Sequence, residues 1–419
     1  MVELDDDRDR SVSRQAIAHA SDFDRPAAPD VRRPVPKRLF YAVLVAFVGL
    51  AILGMAEAGA RLAFKFKHYL SGPVDPRSYS LNPYEMVDPK EPRNWILRPS
   101  TTWSIKALEG SRAVLSDAQL EKAARQHSID PDDVIFRVNH DGFKGPELNT
   151  AHNKVRILTL GDSCTFGSLV DRFSYPRTIE TRLRAQGVDA EVVNGGVKGY
   201  TPWNILLRIN QFKALKPEIV TIYAGWNGIY TFEAIGEQRW LQSPLLFEIA
   251  WSRLYTKMVG QQNAALAAYQ KEKKPDRHSV DTDDAGEYKP SFVNQMELIV
   301  KEMQTIGSRV ALVTLPGLYS MDEWPSEQAL KIGHLPVYTD NPFVLARVTQ
   351  QYNQALRELA RTHDVPLIDL EAWAKETFQP VDAYFVDSVH LTDEGQQMIG
   401  VFLASKLVKL YPELLRLKA

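Results

Sequence analysis

The 419-residue sequence contains one cysteine, Cys164, which rules out an intramolecular disulfide and a thiolate-held metal cluster. Neither charge is in excess: 50 lysines and arginines stand against 52 aspartates and glutamates, so the basic footprint of a nucleic-acid binder is absent. His152, His278 and His334 are isolated and lack the spacing of ligand pairs, so no metal or other cofactor is implied. No internal repeat is visible. Long hydrophobic runs are also missing, with one exception near the start of the chain.

That exception is 39–56, an uncharged and almost wholly apolar run of 18 residues. At 1.5 Å per helical residue it spans roughly 27 Å, close to the thickness of a bilayer's hydrocarbon core. A signal-peptide core would start nearer the N-terminus, and no small-residue cleavage site follows Gly54-Met55-Ala56-Glu57. The expectation is a retained transmembrane anchor over 38–60. Arg25, Arg32, Arg33, Lys37 and Arg38 precede the run, while Arg61, Lys65 and Lys67 follow it. This bias places the N-terminus in the cytoplasm. Residues 1–37, polar and without apolar periodicity, read as a disordered cytoplasmic tail. The rest of the chain then lies outside the cytoplasm, periplasmic if the source is Gram-negative, held by a single pass of the inner membrane.

Residues 61–137 form an extracytoplasmic linker and packing extension. Their Pro- and Asn-rich start predicts extended or turn-like backbone, and Ser116-Asp117-Ala118-Gln119 predicts a capped helix to about His127. From Lys154 onward strands and helices alternate. Strands are expected at 155–160, 190–193, 219–223, 310–315 and 366–369. Amphipathic helices are expected at 175–186, 291–306 and 342–363, with a closing helix at 393–410 packing back on the sheet. That alternation implies an α/β domain with a parallel sheet covered on both faces. Insertions at 229–290 and 316–342 follow strand carboxyl ends and should border the mouth of any site there.

The chemistry concentrates in 154–167, KVRILTLGDSCTFG. Val155, Ile157, Leu158 and Leu160 read as a buried strand that stops at Gly161-Asp162-Ser163, with helical character from about Thr165. Ser163 therefore stands at a strand's carboxyl end, where open α/β sheets bind ligands. Far downstream, Asp387-Ser388-Val389-His390 puts a carboxylate three residues before an imidazole, close enough to share a face on one turn. Together they supply a nucleophile, a base and an orienting acid. Taken singly, a serine before a helix is more often an N-cap, and Asp-x-x-His more often a helix-start cap.

These stretches, with Asn194-Gly195-Gly196-Val197-Lys198-Gly199 and Gly225-Trp226-Asn227, resemble the four ordered blocks of the SGNH (GDSL-type) hydrolase superfamily from about residue 138 to the C-terminus. The run Asn139-His140-Asp141-Gly142-Phe143-Lys144-Gly145 is similar to the lead-in of its membrane-anchored bacterial members. The resemblance implies a three-layer α/β/α, doubly wound, five-stranded parallel sheet in the order 2-1-3-4-5. It also implies an oxyanion hole made of the Ser163 and Gly199 backbone N–H groups and the Asn227 side chain. A turn glycine and a left-handed loop asparagine are the bland alternatives for the last two. The chain departs from the pattern at Gly228, where the family usually has Asp. Cys164, a rival nucleophile by position, falls in a slot that varies in the family and reads as packing.

Trp226, Tyr230, Tyr319 and Trp324 lie in or beside the site loops, with Phe232 and Trp240 near them. They can stack on sugar rings or simply pack the insertions onto the core. The reading is a membrane-anchored serine esterase acting on O-acyl groups, O-acetyl foremost, of an envelope or exported carbohydrate or another small ester. An O-acyltransferase would use the same acyl-enzyme with a sugar hydroxyl as acceptor. A glycan-binding or assembly protein without turnover is the alternative of another class, kept open by Gly228. Protein partners are not legible.

Overall fold

The computed structural model describes residues 36–71, 81–110, 129–230, 274–275, 279–282, 293–336 and 338–415. The expected helix at 116–127 and nearly all of the 229–290 insertion, including Phe232, Trp240 and His278, lie outside the described residues.

Two units are described separately, 1–56 and 57–419. Helix α1 (Lys37–Ser71) continues past the expected end at 60. Its Lys37–Gly59 portion is long and apolar enough to cross a membrane. Twelve large apolar side chains between positions 39 and 55 are exposed. A helix apolar all round belongs in a core or in lipid.

The larger unit is built on a five-stranded sheet. Its strands are β5 (Val155–Gly161), β6 (Ala190–Gly196), β7 (Ile219–Tyr223), β8 (Arg309–Val313) and β9 (Leu367–Ile368), named after the four short strands that precede them. The order is β6-β5-β7-β8-β9 with every pairing parallel, which is the expected 2-1-3-4-5. The strands are mostly apolar and buried because both faces are covered, with Arg156 of β5 and Glu191 of β6 paired to each other at 2.7 Å. Helix α2 (Ser163–Phe166) follows β5 directly, and α3 (Tyr175–Ala185) buries Tyr175, Ile179 and Leu183 at four-residue spacing. Helices α4 (Pro202–Leu207) and α5 (Trp226–Tyr230) follow β6 and β7. Then come α6 (Val293–Gln304), α7 (Pro342–His363) and α8 (Asp393–Leu410). Helix α8 packs on α3, Gly400 lying against Thr178. Within the 316–342 insertion, Glu327–Ile332 is helical and capped by Ser326.

The extension is more ordered than its sequence suggests. Strands β1 (Glu85–Val87) and β2 (Trp95–Leu97) pair antiparallel, as do β3 (Thr101–Ser104) and β4 (Val134–Val138). Strands of three to five residues carry too little periodicity to be read from sequence. Their aromatic rings close over the catalytic domain: Tyr84 stacks on Phe166 at 5.6 Å, and Trp95 meets Tyr200 edge-on at 5.4 Å.

Two glycines let these layers approach. Gly161 and Gly196 are register partners at the carboxyl ends of β5 and β6. A Cβ on Gly161 would fall 2.2 Å from the Tyr223 carbonyl oxygen, and one on Gly196 would fall 2.1 Å from the Phe166 nitrogen. Both obstacles are backbone, so neither can swing aside. Gly196→Ala should therefore destabilise the chain by about 3 kcal/mol, the upper range for overpacking, as read from urea unfolding followed by tryptophan fluorescence.

Candidate active site

At the carboxyl end of β5 the chain turns at Gly161 and enters α2 at Ser163 itself, two residues earlier than its sequence suggests. The N-cap is Asp162, not Ser163. Its Oδ1 accepts the Cys164 N–H at 2.9 Å and its Oδ2 accepts the Gly225 N–H at 3.3 Å. Capping by the neighbouring residue leaves the Ser163 hydroxyl unspent on the helix. Asp162 is fully buried, and that burial raises its pKa although the amides of Cys164, Gly225 and Trp226 oppose the rise.

Residues 227 positions apart meet at that hydroxyl. His390 Nε2 lies 2.8 Å from Ser163 Oγ, and His390 Nδ1 lies 2.8 Å from Asp387 Oδ2. Asp387 and His390 sit on a tight loop, not a helix. Val386 N–H donates to the His390 carbonyl, and Asp387 Oδ1 accepts the N–H groups of Val389 and His390 at 2.9 and 2.8 Å. This Asx-type turn uses one carboxylate oxygen for the loop and the other for the imidazole.

Electrostatics follow from that arrangement. Burial works against a charge on His390, but the Asp387 carboxylate outweighs it and holds the imidazole above its ordinary pKa of 6.5. Burial would raise Asp387, yet the charge and hydrogen bond of His390, aided by His334, hold its carboxyl well below the usual carboxylate range. His334 is thus not isolated in space. Its backbone N–H donates to Ser388 Oγ at 2.9 Å, and its ring lies 5.2 Å from that of Tyr230.

The two other blocks also converge here. Val197 N–H donates to the Gly161 carbonyl at 3.3 Å, which lays the 197–200 turn beside the start of α2. Gly199 has φ +77°, a left-handed backbone suited to glycine. Asn227 Nδ2 donates to the Tyr200 carbonyl at 2.9 Å. An amide nitrogen carries two hydrogens, so this bond fixes the side chain and leaves a second donor. Gly228 is buried within α5.

The aromatic residues divide. Trp226 is 3% exposed, its ring edge lying against the face of Gly317, and Tyr319 is 8% exposed with its hydroxyl donating to the Ala329 carbonyl. Both are wall, not rim: Trp226 opens α5 and Tyr319 lies in the 316–342 insertion, and each faces inward onto the core. Tyr230 is half-buried and donates to the His334 carbonyl at 3.0 Å. Trp324 is 61% exposed and packs edge-on against Phe343. Cys164 is buried with its thiol near the Val389 carbonyl, and burial pushes its pKa well above the ordinary value. It packs and is a poor thiolate source.

One supporting residue escaped sequence reasoning. Lys144 is buried and its ammonium donates to the Phe166 carbonyl at 3.1 Å and to that of Ser168, 4.2 Å from the centre of the Phe166 ring. It thereby ties down the carbonyl end of α2. Burial pushes its pKa down to about 8 despite the charges of Asp171 and Asp393. The only sequence signal was its place in the Gly142-Phe143-Lys144-Gly145 lead-in.

A serine hydroxyl, an imidazole and a carboxylate thus lie in line at the carboxyl end of a parallel sheet. The GDSL-like lipase/acylhydrolase family model matches residues 159–398, more than half of the chain. The chain belongs to that family, one of ester-hydrolysing enzymes. No curated protein matches it. Among solved structures it is similar to a lipase/acylhydrolase from Enterococcus faecalis, at 17% identity over 61% of this chain and 96% of that one, with a TM-score of 0.38. The acetyl xylan esterase AlAXEase is 17% identical over 60% of this chain and 100% of its own, with a TM-score of 0.38. A catalytic mutant of Axe2, an acetylxylan esterase from Geobacillus stearothermophilus, is 17% identical over 61% and 92%, with a TM-score of 0.36.

The Asp387–His390 pair should make stability depend on pH. His390 binds its proton more tightly folded than unfolded, so its contribution is full below pH 6.5 and is lost as pH rises through the folded value. Asp387 is depressed, so its contribution is present above pH 3.8 and is lost as pH falls through the folded value. Asp387→Asn should therefore lower the Tm of the chain more at pH 5 than at pH 9. In 13C-histidine NMR the same change should bring the His390 titration down.

Proposed function

We propose that this protein is a membrane-anchored serine esterase that removes O-acyl groups, O-acetyl foremost, from an envelope or exported carbohydrate. The observation that carries the reading is the Ser163–His390–Asp387 chain of two 2.8 Å contacts. In this reading helix α1 is the anchor, and the excess of basic residues before its apolar run supports a catalytic domain outside the cytoplasm, where polymeric carbohydrate would meet it.

In this reading His390 Nε2 takes the Ser163 proton as Oγ attacks the acyl carbon. Asp387 holds the imidazole with Nδ1–H towards itself and stabilises the imidazolium. The tetrahedral oxyanion is met by the N–H groups of Ser163 and Gly199 and by the second Nδ2 hydrogen of Asn227. His390 then protonates the leaving alcohol, and water activated by the same imidazole releases the acid. Tyr230, half-buried beside His334, is the aromatic assigned to substrate contact.

Full-length protein in detergent should turn over p-nitrophenyl acetate and be labelled by a fluorophosphonate at Ser163. Ser163→Ala should lose both, and His390→Ala should lower kcat by 10^4-fold or more, on the order seen when a triad base is removed. An intact, folded protein giving neither signal would reject the reading. Mass spectrometry of envelope carbohydrate should show more O-acetyl in cells carrying only Ser163→Ala. Less O-acetyl there would identify an acyltransferase instead.

A further inference from the structure

The turn 197–200 contains a choice that its own sequence does not make. Tyr200 N–H closes the turn on the Val197 carbonyl, and Gly199 has φ +77° while Lys198 does not lie in the left-handed region. A positive φ at the third residue alone is the type II arrangement. In type I the same residue has negative φ, and the two differ chiefly by a flip of the central peptide, here Lys198–Gly199. Glycine tolerates both. Something outside the turn must select one.

Trp95 does so from the extension. Its indole Nε1–H donates to the Lys198 carbonyl at 2.9 Å. The peptide is planar and trans, so fixing that carbonyl towards Trp95 sends the Gly199 N–H to the opposite face. Trp95 is itself fully buried. The Tyr200 hydroxyl donates to the Trp95 carbonyl, and the two rings meet edge-on. The other flank of the turn is tied to the nucleophile strand through Val197 N–H to the Gly161 carbonyl, and to Asn227 through the Tyr200 carbonyl. The turn is thus held between Trp95 on one side and the residues of the site on the other.

We propose that Trp95 is a positioning residue: its indole N–H selects the orientation of the Lys198–Gly199 peptide that presents the Gly199 N–H to the oxyanion. This rests on the serine-esterase reading above. It makes the extension a working part of the active site. A flipped peptide would present a carbonyl oxygen where a donor is needed and would leave the buried indole N–H without its acceptor.

The test uses the full-length protein in detergent with p-nitrophenyl acetate and a fluorophosphonate. Trp95→Phe keeps a ring and removes the donor. It should lower kcat about 10- to 100-fold, below or near the loss of a whole oxyanion donor, with KM within about twofold. The rate of Ser163 labelling should fall in parallel, because phosphonylation also builds charge on the oxygen facing the donors. Benzothienylalanine at position 95 preserves the bicyclic shape and replaces N–H by sulfur, so it should give the same loss even if Trp95→Phe fails to fold. Gly199→Ala acts on the same donor, so combining it with Trp95→Phe should be no worse than the poorer single variant. A folded variant at position 95 with unchanged kcat and labelling would overturn the proposal, as would simple multiplication of the two losses. Failure of the wild type to label at all would instead reject the esterase reading.

Discussion

The site depends on one buried carboxylate. Asp162 accepts an N–H from α2 with one oxygen and an N–H from the loop after β7 with the other. Those two loops leave neighbouring strands, and without a shared acceptor each would have buried amides to satisfy separately. By serving both, Asp162 caps the helix that begins at Ser163 and fixes where Asn227 stands. The serine hydroxyl is then free to face His390. A capping serine, the commoner use of such a residue, would have had its oxygen occupied by the helix.

Around that acceptor the structure is held by close backbone approach and by one buried lysine. The Gly161–Gly196 register lets β5, β6 and α2 approach to distances that no Cβ would allow. Lys144 closes the other end of α2, and Val197 binds the 197–200 turn to the Gly161 carbonyl.

The extension belongs to the same design. Tyr84, Trp95 and Phe136 are buried against Phe166 and Tyr200, so the segment before the catalytic strand packs directly on residues next to the proposed nucleophile and oxyanion turn. Glu85 and Lys198 are both buried at this contact. Burial raises the carboxyl and lowers the ammonium, so each resists its charge while the other's charge favours it.

The apolar runs at β5, β6 and β7 and the four-residue spacing in α3 were legible because burial on a sheet or helix face forces a periodicity on the sequence. Gly-Asp-Ser and Asp-x-x-His, each alone a commoner capping pattern, stood out only in combination, as ordered blocks placed after strands. The paired strands of the extension were not legible, since strands of three to five residues leave little pattern. The inward turn of Trp226, at the start of α5, and of Tyr319 was hidden for a related reason: an aromatic just after a strand reads the same whether the segment folds over the core or away from it. The sequence by itself determined the alternation of elements, the residue types of the site and the apolar helix. Only the tertiary structure decided that Asp162, not Ser163, caps α2, that Lys144 and Trp95 grip the site loops, and that His390 reaches across 227 positions to Ser163. Such contacts are set by how separate elements pack, and no local rule of propensity or spacing contains them.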